Sequence, residues 1–445
     1  VAREALAKDE TAIDEFYAAA ASIRTAVEEL TYLIYENPEG TIRLASTNLY
    51  AKGNTDIPAV FTYFYNRYSI DYAGLQEIDR NTSRNPYDMM EALTTDTRFV
   101  DFAFNKNMDY QGGEYGIGII SSTEIKEKSG GLYEVLGSEE PRGWVRSVIE
   151  IDGKEVAFYD THLSTEDEAC ISNMKEIIKL MDEDPLEYKI LTADFNCNRE
   201  WMYPFLENYN MANGKDGNWY ATSGDDYTDI ASSEAYGLDN IITSRNIEVV
   251  DFKVVDSMDL SDHNFIYIDL KLLDEEVPSK EYLKIEVTDA KNLEEADYTV
   301  ESYAVLADAL TAAEALGDDA TQAEINEVLF AIQDAVANLE RIYPLISAGK
   351  PVTVDGEIAD GSAKDVNDGN RYSYMKTAYG NDVIIDLEGL YEIDEIQAFL
   401  YGKAPRYYHY TLYTSIDGVN YEVYGEKTNN DIANVKVGDV YQKEE

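Results

Sequence analysis

Acidic side chains and histidines stand together at several points where a short apolar run of the sequence ends. Of only three histidines, His162 follows Asp160 by two positions and His263 directly follows Asp262. Asp194 ends another apolar run. Carboxylates can bind a hard metal ion and imidazoles can transfer protons, so these residue types suit hydrolytic chemistry. A single Asp-His pair is more often structural than catalytic, so the interpretation depends on how the clusters combine.

The elements that must position these residues belong to a mixed domain. Between residues 41 and 272, short apolar runs of the buried-strand type alternate with polar loops and helical stretches. This pattern predicts an α+β or α/β domain, in which reactive side chains lie at strand ends. The acidic stretch at residues 274–278 predicts a linker after it.

The regions on either side of that domain have different patterns. In residues 1–38 and 280–342, apolar residues recur at three- and four-residue spacing, which predicts helices. Residues 332–339 align without gaps on residues 23–30, which indicates a partial second copy of one helical module, or else a coincidence between two amphipathic helices. Residues 345–445 contain twelve tyrosines in alternating patterns, which predicts an all-β sandwich.

Charge and composition exclude several classes of protein. Lys plus Arg is 36 and Asp plus Glu is 87, a net charge of -51, which excludes a basic DNA-binding module. A nuclease is not excluded, because a bound metal ion can supply positive charge locally. No run approaches the length of a membrane span. Two cysteines, Cys170 and Cys197, exclude a disulfide scaffold and leave their pairing open. Since the sequence begins at Val1, we expect a processed chain or an excised fragment.

Seven short motifs follow one another between residues 41 and 272. They are Thr47-Asn48, Gln76-Glu77, Tyr115-Gly116, Thr161-His162-Leu163, Asp194-Phe195-Asn196, Leu238-Asp239-Asn240-Ile241 and Ser261-Asp262-His263. In this order they resemble the endonuclease/exonuclease/phosphatase superfamily of metal-dependent phosphoesterases. The resemblance implies a four-layer α+β fold, a β-sandwich with flanking helices outside two sheets packed face to face. Residues 76–84, 112–116 and 140–142 resemble one bacterial branch with mostly unassigned substrates, and a fold does not settle the substrate.

The resemblance also implies a metal site and a site for the attacking water. Glu77 would be the principal metal ligand, with Asn48 and Asp262 near it. The ion would be Mg²⁺, or else Mn²⁺, because a carboxylate-rich and thiolate-free site suits these ions better than Zn²⁺. Asp194 would orient or deprotonate the attacking water, and Asn196 would hold that water or a phosphate oxygen.

The remaining motif residues would contact the phosphate. By the same resemblance, His263 would touch the scissile phosphate, and Asp239 would fix its tautomer. His162 would be a second imidazole there, as general acid or as electrostatic stabiliser. Tyr115, from the Tyr-Gly motif, completes the catalytic candidates.

The sequence departs from the family pattern at three places. Ala193 stands where the family usually has Gly, and Asn240 stands where an aromatic residue is common. The neighbours of Asn48 and Glu77 include no row of arginines for a DNA groove. Arg80 and Arg84 could serve that purpose, or could pair with surface acids. Nuclease activity is therefore less firmly predicted than phosphoester hydrolysis.

The flanking modules carry resemblances of their own. Residues 280–342 resemble the FIVAR helical repeat of Gram-positive surface proteins, through Ala296-Asp297-Tyr298-Thr299, Ser302-Tyr303, Ala309-Leu310 and Thr321-Gln322. Residues 345–445 resemble a discoidin (coagulation-factor type C) sandwich, as a truncated or divergent copy, through Asn367-Asp368-Gly369-Asn370, Val383-Ile384-Ile385-Asp386-Leu387, Tyr391-Glu392-Ile393 and Ser415-Ile416-Asp417-Gly418. The second resemblance implies glycan binding and a structural Ca²⁺ at Asp365 and Asp368. A plain helical hairpin and a simple turn are the alternatives.

These observations combine into one predicted function and two alternatives. We expect a secreted or cell-wall-associated Mg²⁺-dependent phosphoesterase, from a Gram-positive bacterium, that hydrolyses phosphodiester bonds, with nucleic acid as the leading substrate. One alternative is a phosphodiesterase acting on a lipid head group or a glycan phosphoester. The other is a glycan-binding adhesin whose phosphoesterase domain is inactive.

Overall fold

A computed structural model describes most of the chain and divides it into two compact units. The described residues are 34–50, 57–95, 97–136, 140–197, 199–215, 218–223, 237–257, 261–342, 345–369, 373–393, 396–401, 407–430 and 441–444. One unit consists of Val1–Cys197 with Asp239–Glu276, and the other of Asn198–Leu238 with Val277–Glu445. The helix and the repeat predicted within residues 1–33 lie outside the described residues, and residues 34–38 are irregular.

The part of the chain up to residue 272 is built mainly of strands. The strands are β1 (Ile42–Asn48), β2 (Tyr72–Arg80), β3 (Asp101–Tyr110), β4 (Gly113–Ser121), β5 (Glu127–Leu132), β6 (Gly143–Ile151), β7 (Lys154–His162), β8 (Tyr188–Asp194), β9 (Tyr209–Met211), β10 (Asp239–Ser244), β11 (Ile247–Val255) and β12 (Phe265–Leu272). The helices are α1 (Ile57–Arg67), α2 (Met89–Thr94), α3 (Asp167–Glu183) and α4 (Arg199–Met202). Of these, β9 and α4 belong to the second unit.

The first unit has two mixed sheets. One sheet has the strand order β11-β12-β1-β2-β4-β3, and the other runs β5-β6-β7-β8-β10 within this unit. The pairs β1–β2 and β7–β8 are parallel, and their neighbours are antiparallel. Strands β1, β7 and β8 are buried along most of their length, which explains their continuous apolar runs. The structure is therefore α+β with mixed sheets, as the sequence predicts.

The two sheets pack face to face, and an aromatic core fills the space beyond one of them. Phe61, Tyr65 and Phe265 are fully buried in the core cluster that also contains α2 residues. At Gly74 in β2 the sheets come so close that a Cβ would overlap the hydroxyl of Thr192 in β8. Glycine is therefore required at this point of β2.

Strand direction brings the candidate residues to one edge. Since β1 and β2 are parallel, Asn48 at the carboxyl end of β1 lies opposite Gln76 in the middle of β2. In the other sheet, parallel pairing puts His162 opposite Asp194, and the antiparallel β10 puts Asp239 opposite Asp194 from the other side.

Three further helices of the second unit lie in the region predicted to be helical. They are α5 (Glu281–Ala290), α6 (Val300–Ala315) and α7 (Gln322–Ala337). Thr299 caps α6, and Thr321 with Glu324 forms a capping box at the start of α7. Leu306, Ile325, Leu329 and Ile332 are buried and recur at the helical spacing read from the sequence.

Residues 199–211 of the second unit pack against these helices. The Tyr203 ring lies 6.1 Å from that of Tyr282 in α5. The Asn326 side chain in α7 donates a hydrogen bond of 2.9 Å to the Glu207 carbonyl. The helices and this segment therefore form one packed body.

The described carboxyl-terminal residues contain short β-strands, and these strands form separate pairs. Its strands are β13 (Val352–Val354), β14 (Ile358–Gly361), β15 (Met375–Thr377), β16 (Val383–Ile385), β17 (Ala398–Tyr401), β18 (Tyr410–Thr414), β19 (Glu422–Lys427) and β20 (Tyr441–Glu444). They pair as β13–β16, β14–β15, β17–β20 and β18–β19. No residue whose burial is described between positions 345 and 430 is buried. The two packed sheets of a sandwich are thus not formed by the described strands, and the discoidin resemblance stays a prediction.

Two further points concern the chain as a whole. Cys170 and Cys197 are buried thiols that form no disulfide bond, and Cys170 donates a hydrogen bond to the Phe195 carbonyl. This answers the open question of their pairing. No helix in the described ranges has the length and apolarity needed to span a membrane.

Candidate active site

Asn48 links the two sheets at the edge where the strands end. Its side-chain amide donates to Asp194 Oδ2 over 2.9 Å and lies 3.2 Å from Glu77 Oε1. The backbone carbonyl of Asn48 accepts a hydrogen bond of 2.8 Å from the Ser261 hydroxyl. Asn48 is 1% exposed, so these contacts fix its side chain between the two acids.

Glu77 reaches the site through an irregularity in β2. The pairing of β2 with β4 shifts register between Leu75 and Ile78, and Glu77 has φ +58°, in the left-handed region. Such a β-bulge turns the side chain away from the regular alternation of the strand. Burial raises the pKa of Glu77, and the nearby carboxylate of Asp262 raises it further. Asp262 itself is exposed.

Asp239 and His263 form a close pair. His263 Nδ1 lies 2.8 Å from Asp239 Oδ2, and both side chains are buried. Burial opposes the charged imidazole, but the carboxylates of Asp239 and Asp194 outweigh it and raise the pKa of His263 to about 10. His263 is therefore a cation at neutral pH. The Nδ1–H of His263 donates a hydrogen bond to the Asp239 carboxylate, and Nε2 lies 3.6 Å from Asp194 Oδ2.

Asp194 is the acid on which the other groups converge. It is 1% exposed at the end of β8. Burial, with the neighbouring Asp239 and Glu77 carboxylates, raises its pKa to about 7, although His263 and the Asn48 hydrogen bond act in the opposite direction. A carboxylate with a pKa near neutrality is suited to accept a proton from water.

His162 contacts Asp194 from the other side. Its Nε2 lies 3.4 Å from Asp194 Oδ2 and 2.8 Å from the Asn196 side-chain amide. Asn196 has φ +49°, and its backbone N–H donates to Asp194 Oδ1. Burial lowers the pKa of His162 well below its usual value, and the charges of Arg142 and His263 lower it further. The ring is thus neutral, which favours electrostatic stabilisation over a general-acid role at neutral pH.

Arg142 was not among the catalytic candidates, and the structure places it beside them. Its Nη1 lies 2.9 Å from His162 Nδ1 and 3.3 Å from Glu140 Oε1. Its charge also acts on Glu77 and Tyr115. The only sequence signal for Arg142 is the Glu140-Pro141-Arg142 motif, which indicates a resemblance to one family branch but assigns no role to the arginine.

Tyr115 lies on β4 with its side chain 6% exposed. Burial and the charge of Glu77 both raise the pKa of its hydroxyl, so the phenol stays protonated. The Arg84 guanidinium lies 5.6 Å from the centre of its ring. Tyr115 therefore borders the site beside Glu77.

The two arginines left open by the sequence are both paired with acids. Arg84 Nε lies 2.6 Å from Asp79 Oδ2, and Arg84 Nη2 lies 3.0 Å from Asp79 Oδ1. Arg80 Nε lies 2.7 Å from Asp88 Oδ2. Their charges are thus largely neutralised within the protein.

Among the residues that the structure describes, two groups of side chains could hold a metal ion. Donor atoms of Asp194, Asp239 and His263 lie within 4.8 Å of one another. His263 is protonated and bound to Asp239, however, and an imidazolium does not ligate a metal. The Asn48 carboxamide turns its nitrogen toward Glu77, and its oxygen accepts a hydrogen bond from the Tyr50 N–H. Glu77 and Asp262 offer carboxylate oxygens, and the Asp262 carboxylate raises the pKa of Glu77. That donor set fits a hard divalent cation.

Comparisons with known proteins give structural likenesses only. No family model and no curated protein matches the chain. An endonuclease/exonuclease/phosphatase from Bacteroides vulgatus is 18% identical, with 52% of this chain and 99% of that chain covered and a TM-score of 0.43. The family protein from Leptotrichia buccalis is 17% identical, with 52% and 100% covered and a TM-score of 0.43. A mannosyl-6-phosphatase from Bacteroides thetaiotaomicron is 16% identical, with 52% and 99% covered and a TM-score of 0.38. At such values we rest the function on the geometry of the site.

Proposed function

We propose that the first unit is a Mg²⁺-dependent hydrolase of phosphoester bonds, with phosphodiesters as substrates. The observation that carries the proposal is the meeting of three groups at one oxygen. Asp194 Oδ2 lies 2.9 Å from the Asn48 amide, 3.4 Å from His162 and 3.6 Å from His263. A buried acid of raised pKa among an amide, a neutral imidazole and an imidazolium suits attack by water on an anionic ester.

The roles of the residues follow from their charges. Asp194 accepts the proton of the attacking water, and Asn196 holds that water in place. The His263 imidazolium, held by Asp239, stabilises charge that develops on the phosphoryl oxygens. His162 and Arg142 lie on the opposite side of Asp194 and bind the phosphate there.

A divalent ion held by Glu77, Asn48 and Asp262 would stabilise negative charge on the phosphate. Mg²⁺ is the proposed ion and Mn²⁺ its substitute, because the donors are oxygen atoms. Without a cation, the acids at this edge of the sheets would repel an anionic substrate. The proposed reaction therefore depends on the ion.

The choice between substrates depends on the charge around the site. The net charge is -51, and the Arg80 and Arg84 guanidiniums already contact acids. Long nucleic acids bind through many Lys and Arg contacts to phosphates. This favours the second candidate, a lipid head-group or glycan phosphodiester, over long DNA, although nucleic acid remains the first substrate class to test.

The surroundings of the enzyme belong to the same proposal. We propose a secreted or cell-wall-associated protein of a Gram-positive bacterium, with a FIVAR-like spacer and a carboxyl-terminal region that binds glycan and holds Ca²⁺ at Asp365 and Asp368. The support is the resemblance of the sequence motifs. The adhesin alternative would keep the glycan binding and dispense with hydrolysis.

The first experiment is the nicking of supercoiled plasmid with Mg²⁺, beside an EDTA control and the Asp194→Ala variant. Nicking that requires both the ion and Asp194 supports the nuclease. If plasmid stays intact, phospholipid and glycan phosphodiesters are tested in the same way. Absence of metal-dependent hydrolysis of every phosphoester contradicts the enzyme and leaves the adhesin, which a glycan array then tests.

A further inference from the structure

A buried polar cluster lies directly beneath the candidate site, between the two sheets. We call it the inter-sheet cluster. It consists of Ser46, Gln76, Asp160 and Thr192, all of which are 0% exposed. None of these residues has a place in the proposed chemistry. Polar side chains buried this completely need a reason, because their desolvation costs stability unless hydrogen bonds offset it.

Hydrogen bonds connect the cluster across the two sheets. Gln76 Nε2, on β2, donates to Asp160 Oδ1, on β7, over 2.5 Å. Thr192, on β8, donates to the same oxygen over 2.7 Å. Gln76 Nε2 also lies 3.3 Å from the Ser46 hydroxyl on β1. The Gln76–Asp160 bond therefore joins one sheet to the other.

Each member sits on a strand that delivers a residue to the site. Ser46 precedes Asn48 by two positions, Asp160 precedes His162 by two, Thr192 precedes Asp194 by two, and Gln76 directly precedes Glu77. Side chains two apart in a strand share a face. The inter-sheet cluster is thus a second layer of side chains, which lies beneath the site residues that the same strands carry.

Gln76 is the exception to that spacing, because it adjoins the bulge of β2. Glu77 has φ +58°, a conformation that side-chain-bearing residues adopt only when their surroundings hold it. Both the backbone and the side chain of Gln76 are held by hydrogen bonds. Its backbone carbonyl accepts a hydrogen bond of 3.0 Å from the Leu49 N–H, and its side chain donates one to Asp160. The residue just before the strained one is therefore fixed.

The cluster is not built for stability alone. Asp160 Oδ2 and Gln76 Oε1 are buried without a hydrogen-bond partner. Such atoms reduce the stability of the fold, and they call for another explanation. Burial also raises the pKa of Asp160 well above its usual value.

We propose that Gln76 and Asp160 are positioning residues for Glu77, and that their hydrogen bond across the sheets holds the bulge that presents the Glu77 carboxylate to the metal ion. The inference rests on the proposed function in taking Glu77 as a metal ligand. Second-layer partners of metal ligands commonly change metal affinity or activity by about 10- to 100-fold when they are removed.

The test compares Gln76→Ala and Asp160→Asn with the unaltered full chain. Isothermal titration with Mn²⁺ measures ion binding, and kcat, KM and the thermal midpoint are measured beside it. We expect Gln76→Ala to weaken Mn²⁺ binding about 10-fold and to lower kcat with little change in KM. Asp160→Asn keeps Oδ1 as the acceptor for Gln76 and Thr192, so Mn²⁺ affinity and kcat should both stay within about 3-fold of the parent.

A matched control separates positioning from stability. Asp269 is a buried acid paired with Arg43 at the other end of β1. Asp269→Asn should lower the thermal midpoint and leave the Mn²⁺ affinity unchanged. Unchanged Mn²⁺ affinity in Gln76→Ala, or an equal loss in Asp269→Asn, would overturn the inference. If the parent binds Mn²⁺ and Gln76→Ala binds it more weakly, but no phosphoester is hydrolysed, the inference stands and the proposed function fails.

Discussion

Asp194 is the residue on which the proposed chemistry depends most. Its Oδ2 atom is shared by Asn48, His162 and His263. We expect Asp194→Ala to lower kcat by about 1000-fold or more, since it removes the proton acceptor. The fold should remain, because the substitution also removes a buried acid. Hydrolysis of a small phosphodiester and the thermal midpoint are the measurements, and near-normal turnover would remove Asp194 from the site.

Arg142 offers a sharper test of how the phosphate is bound. Its guanidinium lies beside His162 and is 11% exposed. A lost charge-assisted hydrogen bond to a phosphate oxygen corresponds to about a 10-fold change. Arg142→Ala should therefore raise KM about 10-fold, with partial recovery in Arg142→Lys.

The control for Arg142 is Arg80, whose charge is already paired with Asp88. Arg80→Ala should leave KM unchanged if phosphate is bound at Arg142. An equal rise of KM in both variants would instead show that general positive charge matters. Steady-state kinetics on one small phosphodiester decides between the two.

Individual site residues can be predicted from the sequence motifs only in part. The motif order named Asn48, Glu77, His162, Asp194 and Asp239, and the structure places these residues at one edge. Their roles stay predictions. The sequence does not single out Arg142, because an arginine just before a strand has the same pattern whether its side chain contacts solvent or an imidazole. The pairing of Arg84 with Asp79 depends on a loop conformation that no spacing reveals.

At the scale of elements, the sequence predicts strands more readily than their partners. The apolar runs before His162 and Asp194 locate the ends of β7 and β8, but only the structure shows that these two strands are parallel neighbours. The bulge at Glu77 has no such signal, because Gln and Glu are not residues that mark left-handed backbone. The surrounding hydrogen bonds impose that conformation.

The close approach of the sheets at Gly74 gives a prediction about stability. A Cβ there would overlap the Thr192 hydroxyl and the Asp160 carboxylate, both of which are buried. We expect Gly74→Ala to lower the free energy of unfolding by about 2 to 3 kcal/mol, as in other overpacked cores. Urea denaturation of the full chain measures this change.

Gly40 supplies the comparison for Gly74. It has φ +73° and open space where a Cβ would lie. Gly40→Ala should therefore cost only the backbone strain, about 1 kcal/mol. If both alanine variants lose the same free energy, the contact between the sheets at Gly74 is looser than the structure indicates.

At the scale of the whole molecule, each compact unit combines two stretches that are separated along the chain. The domain boundaries read from the sequence stay predictions. Residues 198–238 lie within the predicted domain of residues 41–272, yet they belong to the second unit. Composition cannot show this, because packing of distant segments leaves no local pattern. The helical spacing of residues 280–342 predicted helices without showing that Tyr282 and Asn326 would contact residues 203–207.

That packing leads to a prediction about shortened chains. A chain ending at Glu276 lacks Tyr282, the buried aromatic partner of Tyr203. It also lacks Asn326, which donates a hydrogen bond to the Glu207 carbonyl. We expect protease to cleave it within residues 199–223 at least about 10-fold faster than the full chain, since local opening there would cost less free energy. A chain ending at residue 342 keeps α5 and α7 and should be cleaved at the rate of the full chain.

Limited proteolysis with mass spectrometry locates the cuts, and hydrolysis of a small phosphodiester measures the effect on activity. Equal protection of both shortened chains would show that residues 199–211 hold their structure without the helices. Activity lost only when residues 345–445 are removed would contradict a catalytic site confined to the first unit.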